Sequence, residues 1–296
     1  MPETIPPIDL KRQHASMQAD IDAAIGRVMA SGWFISGPET KAFEQEYAAY
    51  CGVEHAVALG SGSASLNLAL KALGIGAGDE VITVAFTLSA TLDAIVELGA
   101  TPVLVDVTED TYTMDPAQVA AAVTPRTKAI LPVNIYGHPA DIDAIEAAAP
   151  GLPIIVDACE SHGATYKGKP ATMAGTASCF SFYPTKNLNA IGDAGGVTTS
   201  DAALADRIRM LRQHGWDRRF HSAISSLNSR MDEIHAAVLR AKLPRLDGWN
   251  ARRTSIAREY DLALKGTSII PATKAEWAEP SYYLYVARTP ERDRLR

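Results

Sequence analysis

The feature that most constrains the fold is a regular alternation of short apolar runs with amphipathic helical runs between residues 54 and 200. The predicted strands are rich in β-branched residues and cover residues 55–59, 81–85, 102–107, 129–135, 153–156, 178–182 and 196–199. Helical patterns at residues 63–73, 90–98, 116–123 and 142–149 separate the first five strands. This alternation predicts an α/β fold with a mostly parallel, seven-stranded sheet and helices on both faces.

The pattern changes on the C-terminal side of the predicted sheet. The turn residues at 165–171 predict a short hairpin, and long helical patterns follow at 202–214, 232–243 and 248–264, with Pro244 marking a break. An extended run at 282–287 precedes the start of a helix at 291–296. We therefore expect a large domain over residues 1–245, whose first 14 or so residues pack with a small domain. Residues 246–296 would begin that small α/β domain without completing it, and we expect this chain not to turn over substrate.

The composition argues against several classes of partner. A net charge of −6 with 21% charged residues predicts no basic surface for nucleic acid. The N-terminal residues do not resemble a signal peptide, and no apolar run approaches membrane-spanning length. The three cysteines lack CxxC spacing, which indicates reduced thiols rather than a disulfide framework or a zinc site. We expect a cytoplasmic protein without nucleic-acid or membrane partners.

Two polar residues directly follow buried strands of the predicted sheet. Asp157 ends the run 153–156, and Lys186 follows the run 178–182 after Pro184. Ligands of such sheets bind at the carboxyl ends of the strands, where both residues fall. An amine and a carboxylate placed there suggest a pyridoxal phosphate (PLP) site. The amine would hold the aldehyde as a Schiff base, and the carboxylate would keep the pyridine nitrogen protonated.

Each of these residues also has a simpler interpretation. A lysine in a loop is usually solvated surface, and a carboxylate at a strand end can be a helix cap or an ion-pair partner. Asp157, Glu160 and His162 could also bind a metal, although their spacing matches no familiar ligand pattern. The PLP interpretation depends on the co-occurrence of Asp157 and Lys186.

Two further segments are candidates for cofactor contacts. The turn Leu59-Gly-Ser-Gly-Ser-Ala-Ser65 between a strand and a helix could cradle a phosphate on backbone amides, or could be a tight turn with Ser63 as the helix N-cap. Phe86 lies just past a strand end, where it could stack on a planar ring or belong to the core.

Taken together, these segments resemble the DegT/DnrJ/EryC1/StrS sugar aminotransferases, which have the fold of type I PLP-dependent transferases. The matching segments include Gly78-Asp-Glu-Val-Ile-Thr-Val-Ala-Phe-Thr87, Asp157-Ala-Cys-Glu-Ser-His-Gly-Ala164, Phe180-Ser-Phe-Tyr-Pro-Thr-Lys-Asn187 and Leu227-Asn-Ser-Arg-Met-Asp-Glu233. The resemblance extends from about residue 8 to the last residue. It departs from the family pattern at Ser226, His235 and Tyr283, where Gly, Gln and His are common.

The resemblance implies a role for each candidate residue. Lys186 would be the Schiff-base lysine, and Asp157 would pair with the pyridinium nitrogen. The other cofactor contacts would be Phe86 on the ring face, Glu160 near the ring hydroxyl, and Gly62, Ser63 and Ser181 at the phosphate. Asn228 would reach the phosphate of the neighbouring subunit, which implies a homodimer with shared active sites. The substrates would be L-glutamate and a nucleotide-linked keto-sugar.

Several alternatives to this function remain at this stage. Relatives that dehydrate sugars have His in place of the Schiff-base lysine, which Lys186 argues against. A regulator would need a DNA-binding module for which no basic helix is available. A plain α/β binding protein would make the pairing of Asp157 with Lys186 accidental. The main alternative is a truncated or inactive PLP-binding homologue with a non-catalytic or regulatory role.

Overall fold

The structure, a computed structural model, describes residues 8–295 of the chain. Its strands in chain order are β1 His55–Leu59, β2 Glu80–Val84, β3 Thr101–Val105, β4 Thr127–Ile130, β5 Ile155–Asp157, β6 Thr165–Tyr166, β7 Lys169–Pro170, β8 Ala177–Ser181, β9 Gly195–Thr199, β10 Trp216–Arg218, β11 His221–Ser222, β12 Ile270–Pro271, β13 Ala278–Glu279 and β14 Ala287–Arg288. Seven of them, β1 to β5 with β8 and β9, correspond to the predicted sheet strands.

The α-helices alternate with these strands and also flank them at both ends. They are α1 Leu10–Ala15, α2 Gln18–Ser31, α3 Pro38–Cys51, α4 Gly62–Ala72, α5 Ser89–Val96, α6 Pro116–Ala122, α7 Ile142–Ala148, α8 Ala202–Leu211, α9 Glu233–Lys242, α10 Leu246–Ala263 and α11 Arg292–Leu295. None of the helices within residues 8–295 combines the length and the apolar character that crossing a bilayer requires.

The central sheet has the strand order β1-β9-β8-β5-β4-β2-β3. Ladders join β1, β9, β8 and β5, and join β4, β2 and β3. Parallel bridges from Ile130 to Ile154 and from Val133 to Asp157 connect the two groups. Only β9 runs antiparallel to its sheet neighbours. The predicted mostly parallel, seven-stranded α/β sheet is therefore confirmed.

The sheet buries an apolar core on each face, which explains why its strands read as near-continuous apolar runs. On one face α3, α6, α7 and α9 pack over a cluster that includes Phe43, Tyr47 and Phe180. On the other face α4, α5 and α8 pack over a cluster that includes Leu66, Ile95 and Ile208. These two layers hold the carboxyl ends of β1, β5 and β8 at one edge of the sheet.

Two predicted strands differ from those observed. The run predicted at 129–135 forms a ladder only to Ile130, because Pro132 has no N–H to continue it. The extended run predicted at 282–287 is wrong for most of its length. Tyr282 has φ of 47°, in the left-handed region that a strand cannot accommodate, and only Ala287 enters a strand, β14.

The segment beyond α10 packs on the sheet domain through short pairings. The predicted hairpin is confirmed as β6 and β7, and β13 adds to it by pairing with β6. In α1, Gln13 accepts a hydrogen bond at 3.1 Å from Asn189. The predicted division at residue 245 coincides with the start of α10 and stays a prediction. Residues 1–7, which belong to the N-terminal part of that prediction, lie outside the described range.

Candidate active site

A cavity of ≈ 400 Å³ lies at the carboxyl ends of β1, β5 and β8. Six of the eight predicted site residues line it, namely Gly62, Ser63, Asp157, Glu160, Ser181 and Lys186. Asp157 and Ser181 are the last residues of their strands, and Gly62 opens α4. The parallel course of β1, β5 and β8 therefore explains why residues distant in sequence meet here.

Asp157 is buried and held on both sides by backbone. Its N–H donates to Pro132 and its carbonyl accepts from Asn134, both at 2.9 Å, which extends the sheet at this strand end. In the carboxylate, Oδ2 accepts from Thr91 Oγ1 at 2.8 Å and Oδ1 accepts from the Cys159 N–H at 3.2 Å. Each oxygen retains a lone pair, so the group can accept one more donor from the cavity.

Lys186 extends into the same cavity with only 11% of its side chain exposed. The interpretation as a solvated surface lysine is therefore wrong. Its Nζ lies 3.2 Å from Glu160 Oε1 and 4.2 Å from the centroid of the Tyr283 ring. The other carboxylate oxygen of Glu160 accepts from the Tyr136 N–H at 2.7 Å, which fixes the carboxylate beside the amine.

The turn before α4 has the features of an anion cradle. Ser61, rather than Ser63, is the N-cap, and its side chain accepts from the Ala64 N–H at 3.1 Å. The alternative with Ser63 as N-cap is therefore wrong. The N–H groups of Gly62 and Ser63 are left without an intrahelical acceptor and lie at the positive end of α4. A Cβ on Gly62 would lie 2.6 Å from Ser181 Cβ, so only glycine permits this close approach.

The remaining two predicted residues are not among those that line this cavity. Phe86 is 43% exposed and packs against Tyr112 and Tyr136 at centroid distances of 5.7 and 6.0 Å. The alternative of a core phenylalanine is wrong, and stacking on the cofactor stays a prediction. Asn228 accepts from the Arg230 N–H at 3.3 Å within its own loop. Its proposed contact is with a second subunit and also stays a prediction.

Two titratable groups in the segment that follows Asp157 have pKa values shifted by burial. His162 is fully buried beside Phe180 and Phe182, and burial, with the nearby Lys186 charge, lowers its pKa to about 3. Burial also raises the pKa of the Cys159 thiol well above its usual range. Both groups are neutral at pH 7. Within residues 8–295, no three His, Cys, Asp or Glu side chains are placed to hold a metal ion.

Sequence reasoning missed several residues that shape the site. Thr91 on α5 was not predicted, because a single threonine in a helix carries no periodic signal. Tyr283 was noted only as a departure from a family pattern, although its hydroxyl lies 3.1 Å from Thr185 Oγ1 and its ring covers the Lys186 amine. No local pattern reveals these contacts, because each joins segments far apart in sequence.

The donor set fits PLP in three respects. A buried carboxylate with spare acceptor capacity suits a protonated pyridine nitrogen, and a sheltered amine suits an aldehyde. Free N–H groups at the start of α4, beside Ser181, suit a phosphate dianion. The three groups line one cavity, as a single ligand with these three functions requires.

Comparison with known proteins gives a consistent result. The family model described as the DegT/DnrJ/EryC1/StrS aminotransferase family matches residues 15–296. The chain is 47% identical over 294 residues to the erythromycin biosynthesis sensory transduction protein EryC1 of Saccharopolyspora erythraea, covering 98% of this chain and 80% of that protein. It is 47% identical over 296 residues to the dTDP-3-amino-3,4,6-trideoxy-alpha-D-glucose transaminase of Streptomyces venezuelae, covering 99% and 78%.

A solved structure matches over the same extent. The crystal structure of S. venezuelae DesV in complex with a ketimine intermediate superposes with a TM-score of 0.97 at 47% identity. The match covers 99% of this chain and 80% of that one. By sequence and by fold, the chain belongs to the DegT/DnrJ/EryC1/StrS aminotransferase family.

Proposed function

We propose that this protein is a PLP-dependent aminotransferase that moves an amino group from L-glutamate to a nucleotide-linked keto-sugar. The observation that carries the proposal is the convergence of the Lys186 amine, the Asp157 carboxylate and the start of α4 on one cavity. PLP, when bound, supplies an electron-withdrawing ring that accepts the electron pair of a carbon–hydrogen bond as it breaks. The protein's task is to orient the ring, exclude water and move protons.

Lys186 is the proposed point of covalent attachment and the proposed proton carrier. Its side chain lines the cavity, and the Tyr283 ring shelters the amine from solvent. Once free of the aldehyde, the amine could take the α-proton of glutamate and give it to the aldehyde carbon of the cofactor, and the keto-sugar would follow the same two proton transfers in reverse. Glu160, 3.2 Å from Nζ, can hold the amine between these positions.

Asp157 is proposed to hold the proton of the pyridine nitrogen. A charge-assisted hydrogen bond to this carboxylate keeps the ring cationic, and a cationic ring is the better electron acceptor. Thr91 and the Cys159 N–H orient the two carboxylate oxygens, so that Asp157 does not have to reorganise as charge develops.

The phosphate is proposed to bind Gly62, Ser63 and Ser181, with Asn228 contributed by a second subunit. Exposed apolar side chains in the same region of the chain support an interface, since Leu227, next to Asn228, is 80% exposed and Phe220 is 75% exposed. Phe220 packs on Trp216 at a centroid distance of 5.4 Å, and grouped exposed apolar side chains, unlike single ones, mark interaction surfaces. We therefore propose a homodimer in which each active site uses residues of both subunits.

The experiment that tests this proposal is replacement of Lys186 by alanine. We expect an active wild type, in place of the inactivity expected from the sequence: supplied with PLP, it should show a visible absorption band, form 2-oxoglutarate from glutamate, and carry the borohydride-reduced cofactor on Lys186. Lys186→Ala should lose all three, while Lys128→Met, which removes an exposed lysine from β4, should retain them. Borohydride labelling of a different lysine would overturn the assignment.

A complementation experiment tests the shared site. Lys186→Ala and Asn228→Ala should each be nearly inactive alone. After subunit exchange, a heterodimer would contain one site with neither substitution, and part of the activity should return. Verified exchange without any recovery would mean that each site is built within one chain.

A further inference from the structure

Lys242 is a buried lysine in the last turn of α9, at some distance along the chain from every residue assigned above. Its side chain is fully buried, and its Nζ donates to the Asn189 carbonyl at 3.0 Å and also to Asn189 Oδ1. The third neighbour of Nζ is His14 Nε2 at 3.5 Å. Burial and the Lys242 charge lower the pKa of His14, so its ring is neutral and this nitrogen can accept.

Burying an ammonium group among neutral acceptors is costly, because neutral partners replace only part of its hydration. Burial accordingly lowers the pKa of Lys242 to about 8. An apolar residue would fill the same space without this cost, as replacements of buried charges in other proteins illustrate. The role of Lys242 therefore lies in the group that its hydrogen bonds orient, rather than in a contribution to the free energy of unfolding.

Those hydrogen bonds lead directly to Lys186. Lys242 donates to both the backbone carbonyl and the side-chain Oδ1 of Asn189. The side-chain nitrogen Nδ2 of Asn189 therefore points away from Lys242. That nitrogen donates to the Lys186 carbonyl at 3.1 Å and to Gln13 Oε1 at 3.1 Å. The Lys186 N–H in turn donates to the Tyr183 carbonyl at 2.9 Å. Both sides of the Lys186 peptide backbone are therefore held, and Lys242 determines which way the Asn189 amide points.

We propose that Lys242 is a positioning residue for Lys186, acting through the orientation of the Asn189 side chain. This inference deepens the proposed function and rests on the assignment of Lys186 as the residue that carries the cofactor. Lys186 lies in a loop and not on a strand, so its backbone position depends on such contacts. A displacement of the amine by about 1 Å is enough to slow a proton transfer about 100-fold.

The decisive variant is Asn189→Asp. It keeps the shape of the side chain and the acceptors for Lys242, but replaces the nitrogen that donates to the Lys186 carbonyl with an oxygen. A role limited to stability predicts unchanged or increased stability and normal turnover, because the new carboxylate pairs with Lys242. A positioning role predicts that turnover falls about tenfold or more while the melting temperature and the KM for glutamate stay near wild type.

The companion variant is Lys242→Met, which removes the donor and preserves the volume of the side chain. Turnover should fall about tenfold through the freed Asn189 amide. Lys128→Met is the matched control for loss of a lysine charge and should behave as wild type. If Lys242→Met does not fold, Asn189→Asp alone decides.

A second readout does not depend on turnover. PLP is added to the apoprotein, and growth of the visible band measures how fast Lys186 attaches the cofactor; both variants should attach it about tenfold more slowly than wild type. Turnover and attachment rates within twofold of wild type in Asn189→Asp would overturn the proposal. Losses of turnover and of attachment rate no larger than the fraction of unfolded protein would also overturn the proposal. Failure of the proposed function is distinguishable, since Lys186→Ala would then retain the visible band.

Discussion

Asp157 and Lys186 face the same cavity but are held in place by different kinds of structure. Asp157 ends a strand, and hydrogen bonds to Pro132 and Asn134 fix its backbone within the sheet. Lys186 follows a strand end by five residues and lies in a loop. Side chains hold that loop: Asn189, three residues further along, donates to the Lys186 carbonyl at 3.1 Å, and Asn250 on α10 accepts from Asn187 at 2.9 Å.

The difference shows how the two halves of the site are specified. A residue in a ladder is positioned by the backbone, so few single substitutions outside the site can displace it. Lys186, in a loop, depends on individual side-chain contacts as well as on its backbone hydrogen bond to Tyr183, so replacing one of those side chains can displace it. Substitutions at a distance should therefore affect the Lys186 side of the cavity more than the Asp157 side, where only changes to the carboxylate itself or its burial should matter.

The largest effect should come from Asp157→Asn, which leaves the strand intact and removes the charge. The amide cannot hold the pyridine nitrogen in its protonated form, so turnover should fall about 100- to 1,000-fold while cofactor binding persists. Steady-state kinetics and the visible spectrum of the variant measure the two effects separately. Near wild-type turnover with bound cofactor would reduce Asp157 to a local capping residue.

The same contrast explains which parts of the structure were predictable. Apolar periodicity located β1 and β5, because burial on both faces of a parallel sheet leaves a strong sequence signal. Those strands in turn placed Asp157 correctly at the sheet edge. Residues 282–286 were wrongly predicted as a strand, because their position depends on single contacts such as the Leu284 N–H donating to the Tyr136 carbonyl. Apolar periodicity does not predict single contacts of this kind, and Lys242 and Asn250 were missed for the same reason.

The next effect concerns acid stability on the Asp157 side. Folding lowers the pKa of His162 from 6.5 to about 3, so below pH 6.5 the unfolded chain binds a proton that the folded chain does not. Stability from this residue is present above pH 6.5 and is lost as the pH falls, by about 1.4 kcal/mol per pH unit. Urea unfolding should show a loss of about 2 kcal/mol between pH 6.5 and 5 from His162.

His162→Leu should remove this part of the pH dependence, whereas replacing the exposed His221 by leucine should not. The comparison separates the effect of removing a buried ring from the effect of removing an exposed histidine. An unchanged pH dependence in His162→Leu would show that His162 has the same pKa in the folded and the unfolded chain.

A smaller effect is expected from Asn250→Leu, which tests whether a side-chain contact holds the loop that carries Lys186. Asn250 accepts from Asn187 at 2.9 Å and donates to the His162 carbonyl at 2.8 Å, so it links the lysine loop to the turn that follows Asp157. Without it Asn187 keeps only its hydrogen bond to the Ser281 carbonyl at 2.8 Å, and turnover should fall about tenfold with cofactor still bound. The exposed amide Gln118, replaced by leucine, is the control. Equal turnover in both variants would mean that the loop does not need this contact.

The smallest effect should come from Thr91→Val, a change of nearly equal volume that removes the hydroxyl donating to Asp157 Oδ2 at 2.8 Å. The carboxylate keeps its strand backbone and the hydrogen bond from the Cys159 N–H, so its position should hardly change. A hydrogen bond to a charged group contributes about 1.5–3 kcal/mol, but this one stabilises the ground state and the transition state almost equally, so turnover should fall only about threefold. The measurement is turnover of Thr91→Val beside Asn250→Leu under the same conditions. If the threonine variant loses more activity than the asparagine variant, then side-chain contacts position Asp157 as much as they position Lys186. The distinction between a backbone-held and a side-chain-held half of the site would then fail.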